Sequence, residues 1–231
     1  VVPTADYHQS EYVGEHFKER MYITGFTGSA GTAVITKTEA RLWTDGRYFI
    51  QAAKQLEGST VELMKMGEPG VPTLNAWLEE NLPEGGVLGF DGRTVSMGEG
   101  QAYAEIADGK NGKVVYEFDL IDRIWEDRPA LSEEPVFELG VEYAGETAES
   151  KLSRIREEMK KCGATAHVLT TLDDICWTLN IRGNDIEFFP LVLSYAVITM
   201  DKMDLYINEA KLSDEIKGHL ADTGVVLHPY N

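Results

Sequence analysis

The stretch GFTGSAGTAVITKTEARLWTDGRYFIQAAKQL, residues 25–56, decides the reading of the whole chain. A glycine-punctuated loop runs into the β-branched segment Thr32 to Thr36, reverses over Lys37 to Ala40, and returns as Arg41 to Thr44, which is the pattern of a hairpin. From Arg47 the apolar period changes from two to 3.6: Tyr48, Phe49, Ala52, Ala53 and Leu56 share one helical face and Gln51, Lys54 and Gln55 the other. The Asp45-Gly46 turn launches that helix, which puts Arg47 in its first turn, where the positive end of the helix disfavours a cation unless an anion answers it. The anion is either an internal partner, Asp45 or Glu39, or a ligand carboxylate or carbonyl, which a guanidinium fork suits equally.

Outward from this stretch, Val1 to Thr4 reads as a strand end, and Met21 to Thr24 and Val61 to Met64 as strands. Pro72 opens a helix with Leu74, Trp77, Leu78 and Leu82 inward. Val87 to Phe90 (strand), Gly98 to Ala107 (helix) and Lys113 to Phe118 (strand) follow, and Asp119 caps a last turn ending near Trp125. Strands alternating with helices call for a layered α/β domain over residues 1–126. Residues 126–149 then hold eight acidic residues and one basic, Arg128, with Pro129 and Pro135, so 127–146 reads as an acidic linker. Residues 147–231 form a second domain: a helix capped by Thr147 and stopped by Gly163, a strand at Val168 to Thr170, a helix at Leu172 to Leu179, a second hairpin at Leu193 to Thr199 and Asp204 to Ile207, a helix at Leu212 to Leu220 and a strand at Val225 to His228.

The second hairpin repeats the first. Ala33-Val34-Ile35-Thr36 recurs as Ala196-Val197-Ile198-Thr199, an offset of 163, and Leu42-Trp43 becomes Leu205-Tyr206 at the same offset. After an intervening helix, Val-Glu-Leu at 61–63 faces Val-Val-Leu at 225–227. Register kept over two strands, a helix and a third strand indicates a duplicated domain, the second copy stopping before its last elements. Where the first copy has Asp45-Gly46-Arg47, the second has Asn208-Glu209-Ala210: the scaffold is shared and the DGR is not.

Composition excludes several classes. A net charge of −18 leaves no basic stripe for nucleic acid and otherwise favours solubility. No apolar run reaches the ~18 residues of a membrane span, and no signal peptide or initiator Met opens the chain, so a trimmed cytoplasmic segment is expected. Cys162 and Cys176 read as small buried thiols. The glycines at 25, 28 and 31 lack the Gly-Lys-Ser/Thr of a phosphate cradle and are better explained by close backbone approach. The five histidines show no ligand spacing, so no metal is expected in this segment. His8 reads as a surface polar contact, and Arg182 to Asp185 as a turn with a local Arg182–Asp185 ion pair that either faces solvent or lines a cleft. No complete catalytic constellation is present.

His8-Gln-Ser-Glu-Tyr12, Gly28-Ser-Ala-Gly-Thr-Ala33, Trp43-Thr-Asp-Gly-Arg-Tyr-Phe49, Met64-Lys-Met66, Ile124-Trp125 with Asp127-Arg-Pro129, Arg182-Gly-x-Asp185 and His228-Pro-Tyr230 together resemble the cytosolic Xaa-Pro aminopeptidases (aminopeptidase P) of the three-domain type, almost from end to end. The sequence departs at Phe189-Pro190, where the family commonly has Asn-Pro. The resemblance implies two tandem creatinase/prolidase N-terminal-like domains of ribonuclease H-like fold, each a mixed sheet flanked by helices and the second truncated, ahead of a C-terminal pita-bread metallopeptidase domain absent here. It implies a hydrolase in which two manganese ions, held by that absent domain, activate water against the bond preceding proline. It further implies that Arg47 binds substrate, that His8, Tyr12, Asp45, Arg182 and Asp185 are cleft-lining candidates, and that short Xaa-Pro peptides are the substrates. The full-length enzyme is then a homodimer held through the third domain, and the segment alone an inactive monomer. The competing reading is a non-catalytic peptide- or protein-binding module of the same fold, as in a histone-chaperone subunit; creatinase itself lacks this long front end.

Overall fold

A computed structural model describes residues 1–231. The backbone forms two compact units, Val1–Ala130 and Leu131–Asn231.

The first unit runs β1 (Val2–Pro3), α1 (Glu19–Thr24), β2 (Thr32–Ile35), β3 (Ala40–Thr44), α2 (Phe49–Gln55), β4 (Val61–Lys65), α3 (Leu74–Asn81), β5 (Val87–Gly89), α4 (Met97–Asp108) and β6 (Lys113–Val115). Its main sheet has the order β1-β2-β3-β4, antiparallel except for the parallel β3–β4 pair, and β5 and β6 form a separate parallel pair. Alternation along the strands sends Ala33 and Leu42 to one face and Val34 and Trp43 to the other. Ala33 and Leu42 pack with Phe26, Ala52 and Leu56; full burial of a side chain such as Leu42 stabilises the fold by about 1.5–3 kcal/mol. Val34, Trp43 and Met64 lie beneath Trp77 and Leu78 of α3, Leu88 and Phe90, and Tyr103 and Ile106 of α4. The indole of Trp43 keeps its polar atom satisfied by donating to Pro72 O at 3.0 Å.

Three local expectations for this unit need correction, and one helix-start signal is added. Met21 to Thr24 is the end of helix α1, not a strand: Gly25 closes it at φ +73° with its N–H on Met21 O, and the Thr24 hydroxyl bonds back to Arg20 O at 2.7 Å. Helix α3 is capped by Thr73, whose side chain accepts from Ala76 N, so Pro72 precedes the helix instead of opening it. Ala53, counted on the inner face of α2, is exposed. Helix α4 starts with a full capping box between Ser96 and Glu99, a signal present in the sequence and overlooked there.

The second unit runs β7 (Phe137–Glu138), α5 (Val141–Ala144), α6 (Ala148–Lys161), β8 (Ala166–Leu169), α7 (Leu172–Leu179), β9 (Ile181–Arg182), β10 (Ser194–Thr199), β11 (Met203–Ile207), α8 (Asp214–Asp222) and β12 (Val225–His228). Its sheet order is β12-β11-β10-β8, and the pairings repeat those of the first unit. Ala196 sits opposite Leu205 as Ala33 sits opposite Leu42, and Leu205 opposite Leu227 as Leu42 opposite Leu63. The duplication read from sequence is therefore a duplication of hydrogen-bond register.

The acidic stretch expected as a linker is divided between the units. Arg128 is tied to the first by its Nε on His16 O at 3.0 Å. In the second, Val136 N donates to Lys211 O at 3.0 Å, Leu139 N to Asn180 O at 2.7 Å, and β7 pairs with β9. Helix α8 starts after the Ser213 cap, two residues past the expected Leu212. Cys176 is buried as expected, but Cys162, which stands at the C-terminal cap of α6, is exposed.

Candidate functional site

Strand β3 ends at the fully buried Thr44, whose hydroxyl donates to Ala30 O at 2.7 Å. The chain then turns through Asp45 and Gly46, with Tyr48 N on Asp45 O at 3.0 Å, before α2 begins at Phe49. Arg47 thus lies in the turn before the helix, not in its first turn, so its environment is set by Asp45 and not by the helix end. Asp45 Oδ1 accepts from Arg47 N and Nε, both at 3.0 Å, and Oδ2 accepts from Nη2 at 2.9 Å. The remaining amino group, Nη1, has Glu11 Oε1 at 3.7 Å, and the guanidinium carbon stands 5.3 Å from the Tyr48 ring centre. The Arg47 hydrogen bond holds the Asp45 carboxyl below its usual range, and the same bond raises the arginine. The Arg47 side chain is 60% exposed, with the Nε and Nη2 edge of its fork held by Asp45 and only Glu11 near Nη1.

The loop under this corner is rigid for reasons the sequence shows only in part. Arg20, buried on α1, donates from Nη1 to Phe26 O, from Nη2 to Gly28 O and from Nε to Thr4 Oγ1 at 2.9 Å. Burial pushes this arginine down to about 10. A Cβ on Gly28 would lie 2.3 Å from the Phe26 ring and 2.7 Å from that of Tyr48, so the close-approach reading of this glycine holds. Ser29 Oγ and Tyr48 Oη are 2.7 Å apart, which joins the loop to the corner.

Of the cleft-lining candidates, the 8–12 segment reaches the corner through Glu11. Asp6, fully buried, accepts from His8 N at 2.8 Å and Ser10 N at 2.9 Å, so the segment is folded on its own backbone. His8 is buried and not the surface contact expected of it; Tyr12 is exposed. Arg182 and Asp185 belong to the second unit and do not pair with each other. Arg182 Nη1 donates to Cys176 O at 2.9 Å and Ile181 O at 2.8 Å, while Asp185 is buried, accepts Leu193 N at 2.7 Å and forms an ion pair with Lys211. The chain folds back between them, with Asp185 N on Leu191 O, and turns the carboxylate inward, where only a buried cation can answer it.

Sequence reading missed the main charged cluster of the first unit. Arg128 forms ion pairs with Glu19 and Asp119 and reaches Asp122 Oδ1 at 3.3 Å. Burial, reinforced by Asp119, pushes Glu19 up to about 8; burial also pushes Asp119 up, but its hydrogen bond from Arg128 leaves it below the usual range. Glu19, Asp91 and Asp119 bring carboxylate oxygens within 4.8 Å of one another, a spacing open to a metal ion. The donor set does not fit a two-metal centre: no histidine joins it, and the Arg128 guanidinium already holds two of the three carboxylates in the cation's place.

The creatinase/prolidase N-terminal domain family matches this chain twice, over residues 14–123 and 127–231. Aminopeptidase P2 of Arabidopsis thaliana is 41% identical over 234 residues, covering all of this chain and 33% of its own length. A probable Xaa-Pro aminopeptidase P of Neurospora crassa is 44% identical over 239 residues, covering all of this chain and 34% of its own. The crystal structure of X-prolyl aminopeptidase from Caenorhabditis elegans, a cytosolic enzyme with a di-nuclear active site, superposes with a TM-score of 0.91 at 38% identity, over 99% of this chain and 37% of that one. The chain spans about a third of the length of the curated relatives it matches. No helix is long and apolar enough to cross a membrane. With both matches falling on units that repeat one sheet register, the chain belongs to the creatinase/prolidase N-terminal domain family and carries that domain twice.

Proposed function

We propose that this chain is the substrate-gating, structural front of a cytosolic metallo-aminopeptidase that removes the N-terminal residue from short Xaa-Pro peptides, and that Arg47 contacts the substrate. The observation that carries the reading is likeness along the full chain, at 38% identity and a TM-score of 0.91, to an X-prolyl aminopeptidase with a di-nuclear active site. The state of Arg47 supports its role. Asp45 holds the fork in one orientation while Nη1 faces only the exposed Glu11 carboxylate at 3.7 Å, so a peptide carbonyl or carboxylate can compete with Glu11 for Nη1 without breaking the Asp45 pair. No residue set in this chain fits a two-metal centre, so the ions, manganese in this reading, belong to the catalytic remainder of a homodimeric full-length protein. The test is the Arg47→Ala variant of the full-length, Mn²⁺-loaded protein on an Xaa-Pro-Pro peptide. A fall in kcat/KM of about 10-fold or more with an unchanged melting temperature is expected. An inactive wild type refutes the enzyme; unchanged kinetics in the variant refute the role of Arg47.

A further inference from the structure

Residues 25–56 hold four glycines, and the fold accounts for three of them. Gly25 is left-handed at φ +73° and ends α1. A Cβ on Gly28 would enter two aromatic rings, and one on Gly31 would stand 3.0 Å from Trp43 O, too close for an ordinary contact. Gly46 is different. Its φ lies outside the left-handed region, and beyond its chain neighbours a Cβ there would meet nothing closer than Phe49 Cε2 at 3.9 Å. The repeat makes the same point independently, because at an offset of 163 the counterpart of Gly46 is Glu209. The turn around Glu209 keeps both bonds of the first: Asn208 Oδ1 accepts from Ala210 N at 3.0 Å as Asp45 Oδ1 accepts from Arg47 N, and Lys211 N donates to Asn208 O at 3.2 Å as Tyr48 N donates to Asp45 O. The scaffold therefore takes a side chain at this position, and the first unit leaves the space over its backbone clear.

Ile50, in the first turn of α2, is 88% exposed, and Ala53, three residues on along the same face, is exposed too. The core of the first unit is supplied from the other side of this helix, by Ala52 and Leu56, so Ile50 adds little to it. A β-branched residue is also a modest helix former at a solvent position. A single exposed isoleucine is ordinary. This one continues an uncharged strip that starts at Gly46 beside the exposed Arg47 fork and is bordered by the half-buried Phe49 ring. We propose that the strip is the bed of the peptide: the substrate main chain crosses Gly46, where a side chain would hold it off, and a residue on the C-terminal side of the proline sets an apolar side chain on Ile50. The inference rests on the reading of Arg47 as a substrate contact and deepens it, since it names the substrate class, Xaa-Pro peptides with an apolar residue after the proline. Gly46 is the point of close approach and Ile50 the specificity-determining residue.

The experiment compares Xaa-Pro-Leu and Xaa-Pro-Asp peptides on the full-length protein carrying Gly46→Ala, Ile50→Lys or neither, with kcat/KM measured on the Mn²⁺-loaded protein and binding to loaded and metal-free protein by titration calorimetry. The wild type is expected to favour Xaa-Pro-Leu by about 10-fold. Gly46→Ala is expected to weaken both peptides about 10-fold while the melting temperature stays the same or rises, because alanine fits this turn and restricts the unfolded chain. Ile50→Lys is expected to lower Xaa-Pro-Leu about 10-fold and to spare or improve Xaa-Pro-Asp, a change of ratio that a merely structural role does not produce. A lower melting temperature in Gly46→Ala returns the glycine to the scaffold and overturns the proposal. So do equal losses on both peptides in Ile50→Lys, unchanged values in both variants, or a wild-type preference for Xaa-Pro-Asp, in which case Lys65, 5.7 Å from the centre of the Phe49 ring, is the contact. Binding separates this inference from the enzyme: a wild type that binds the peptides and cleaves neither refutes the enzyme and leaves the strip to be decided by the variants' affinities, and one that neither binds nor cleaves refutes both.

Discussion

Arg128→Ala should be the most damaging single substitution on the charged interior of the first unit, and its cost should depend on pH in a definite direction. The side chains of Arg128 and Glu19 are each 6% exposed, and truncating the arginine leaves Glu19, Asp119 and Asp91 within 4.8 Å of one another with no cation between them. Removing one partner of a buried pair costs about 3–5 kcal/mol, roughly half of what a domain of this size has to lose. In the wild type, burial reinforced by Asp119 raises the Glu19 carboxyl above its ordinary 4.5, against the pull of Arg128. Its contribution to stability is therefore full below the unfolded value and is lost as pH rises through the folded one. Asp119, held below its ordinary value, behaves oppositely: its contribution is present above the unfolded value and is lost as pH falls. Without Arg128 both carboxyls prefer their protons, so the deficit of the variant should be largest at about pH 8.5 and should shrink by about 1–2 kcal/mol at about pH 5.5. Urea titration of residues 1–231 reads this through Trp125, which stacks on Tyr22 at 4.5 Å beside the cluster. A deficit below about 1 kcal/mol at both pH values, or one no smaller at the lower, would refute the reasoning, and Glu19→Gln should flatten the wild-type slope between them.

In the second unit, Lys211→Met should cost about 3–5 kcal/mol by leaving Asp185 buried and unpaired, and Lys211→Met with Asp185→Leu should recover most of it, both measured by urea unfolding. Gly28→Ala should lower stability by about 1–3 kcal/mol, read as a lower melting temperature, because its methyl group would enter the Phe26 and Tyr48 rings. Ellman titration should find one reactive thiol in the native chain and two in denaturant, since Cys162 is exposed while burial pushes the Cys176 thiol up to about 11.

What could be read from the sequence follows the range over which each feature is decided. The hairpins were legible because strand alternation is local: Ala33 and Val34 point to opposite faces whatever the rest of the chain does, and both faces of the first sheet are covered. The Asp45–Arg47 pair was among the readings for the same reason, two residues apart within one turn. Met21 to Thr24 was misread because so short an apolar piece has no period, and its helix is settled by the left-handed Gly25 and by Arg20, whose partners lie on two other segments. Spacing alone points Asp185 to its near neighbour Arg182, whereas its partner in the fold is Lys211, 26 residues away and buried without any flanking signal. Glu19 and Arg128 are separated by 109 residues, and no periodicity joins them. Buried charges choose partners by fold, so this class of contact is invisible until the sheet is assembled.

The repeat also separates scaffold from chemistry more finely than the loss of the DGR did. Glu39 and Arg41 form an i, i+2 pair on the Val34–Trp43 face of the first hairpin; at an offset of 163 the second has Lys202 and Asp204, the same pair with its charges exchanged. A pair whose sign can be reversed in place serves neutrality on a sheet face, not recognition of a particular ion. At the corner the outcome differs. Asp45 Oδ1 accepts Arg47 N at 3.0 Å, and its counterpart Asn208 Oδ1 accepts Ala210 N at 3.0 Å. The turn-forming bond of Asp45 is thus kept in the second unit by an uncharged residue, which assigns that half of Asp45 to the scaffold. What the second unit lacks is the guanidinium and the carboxylate oxygen that orients it. Across this bond the chemical difference between the two units therefore reduces to the Arg47 side chain and the charge of Asp45, and Asp45→Asn isolates it. Asparagine keeps the bond to Arg47 N and weakens the hold on the fork, so the full-length variant should retain its melting temperature while its KM for short Xaa-Pro peptides changes; a lower melting temperature with unchanged kinetics would return the corner to the scaffold.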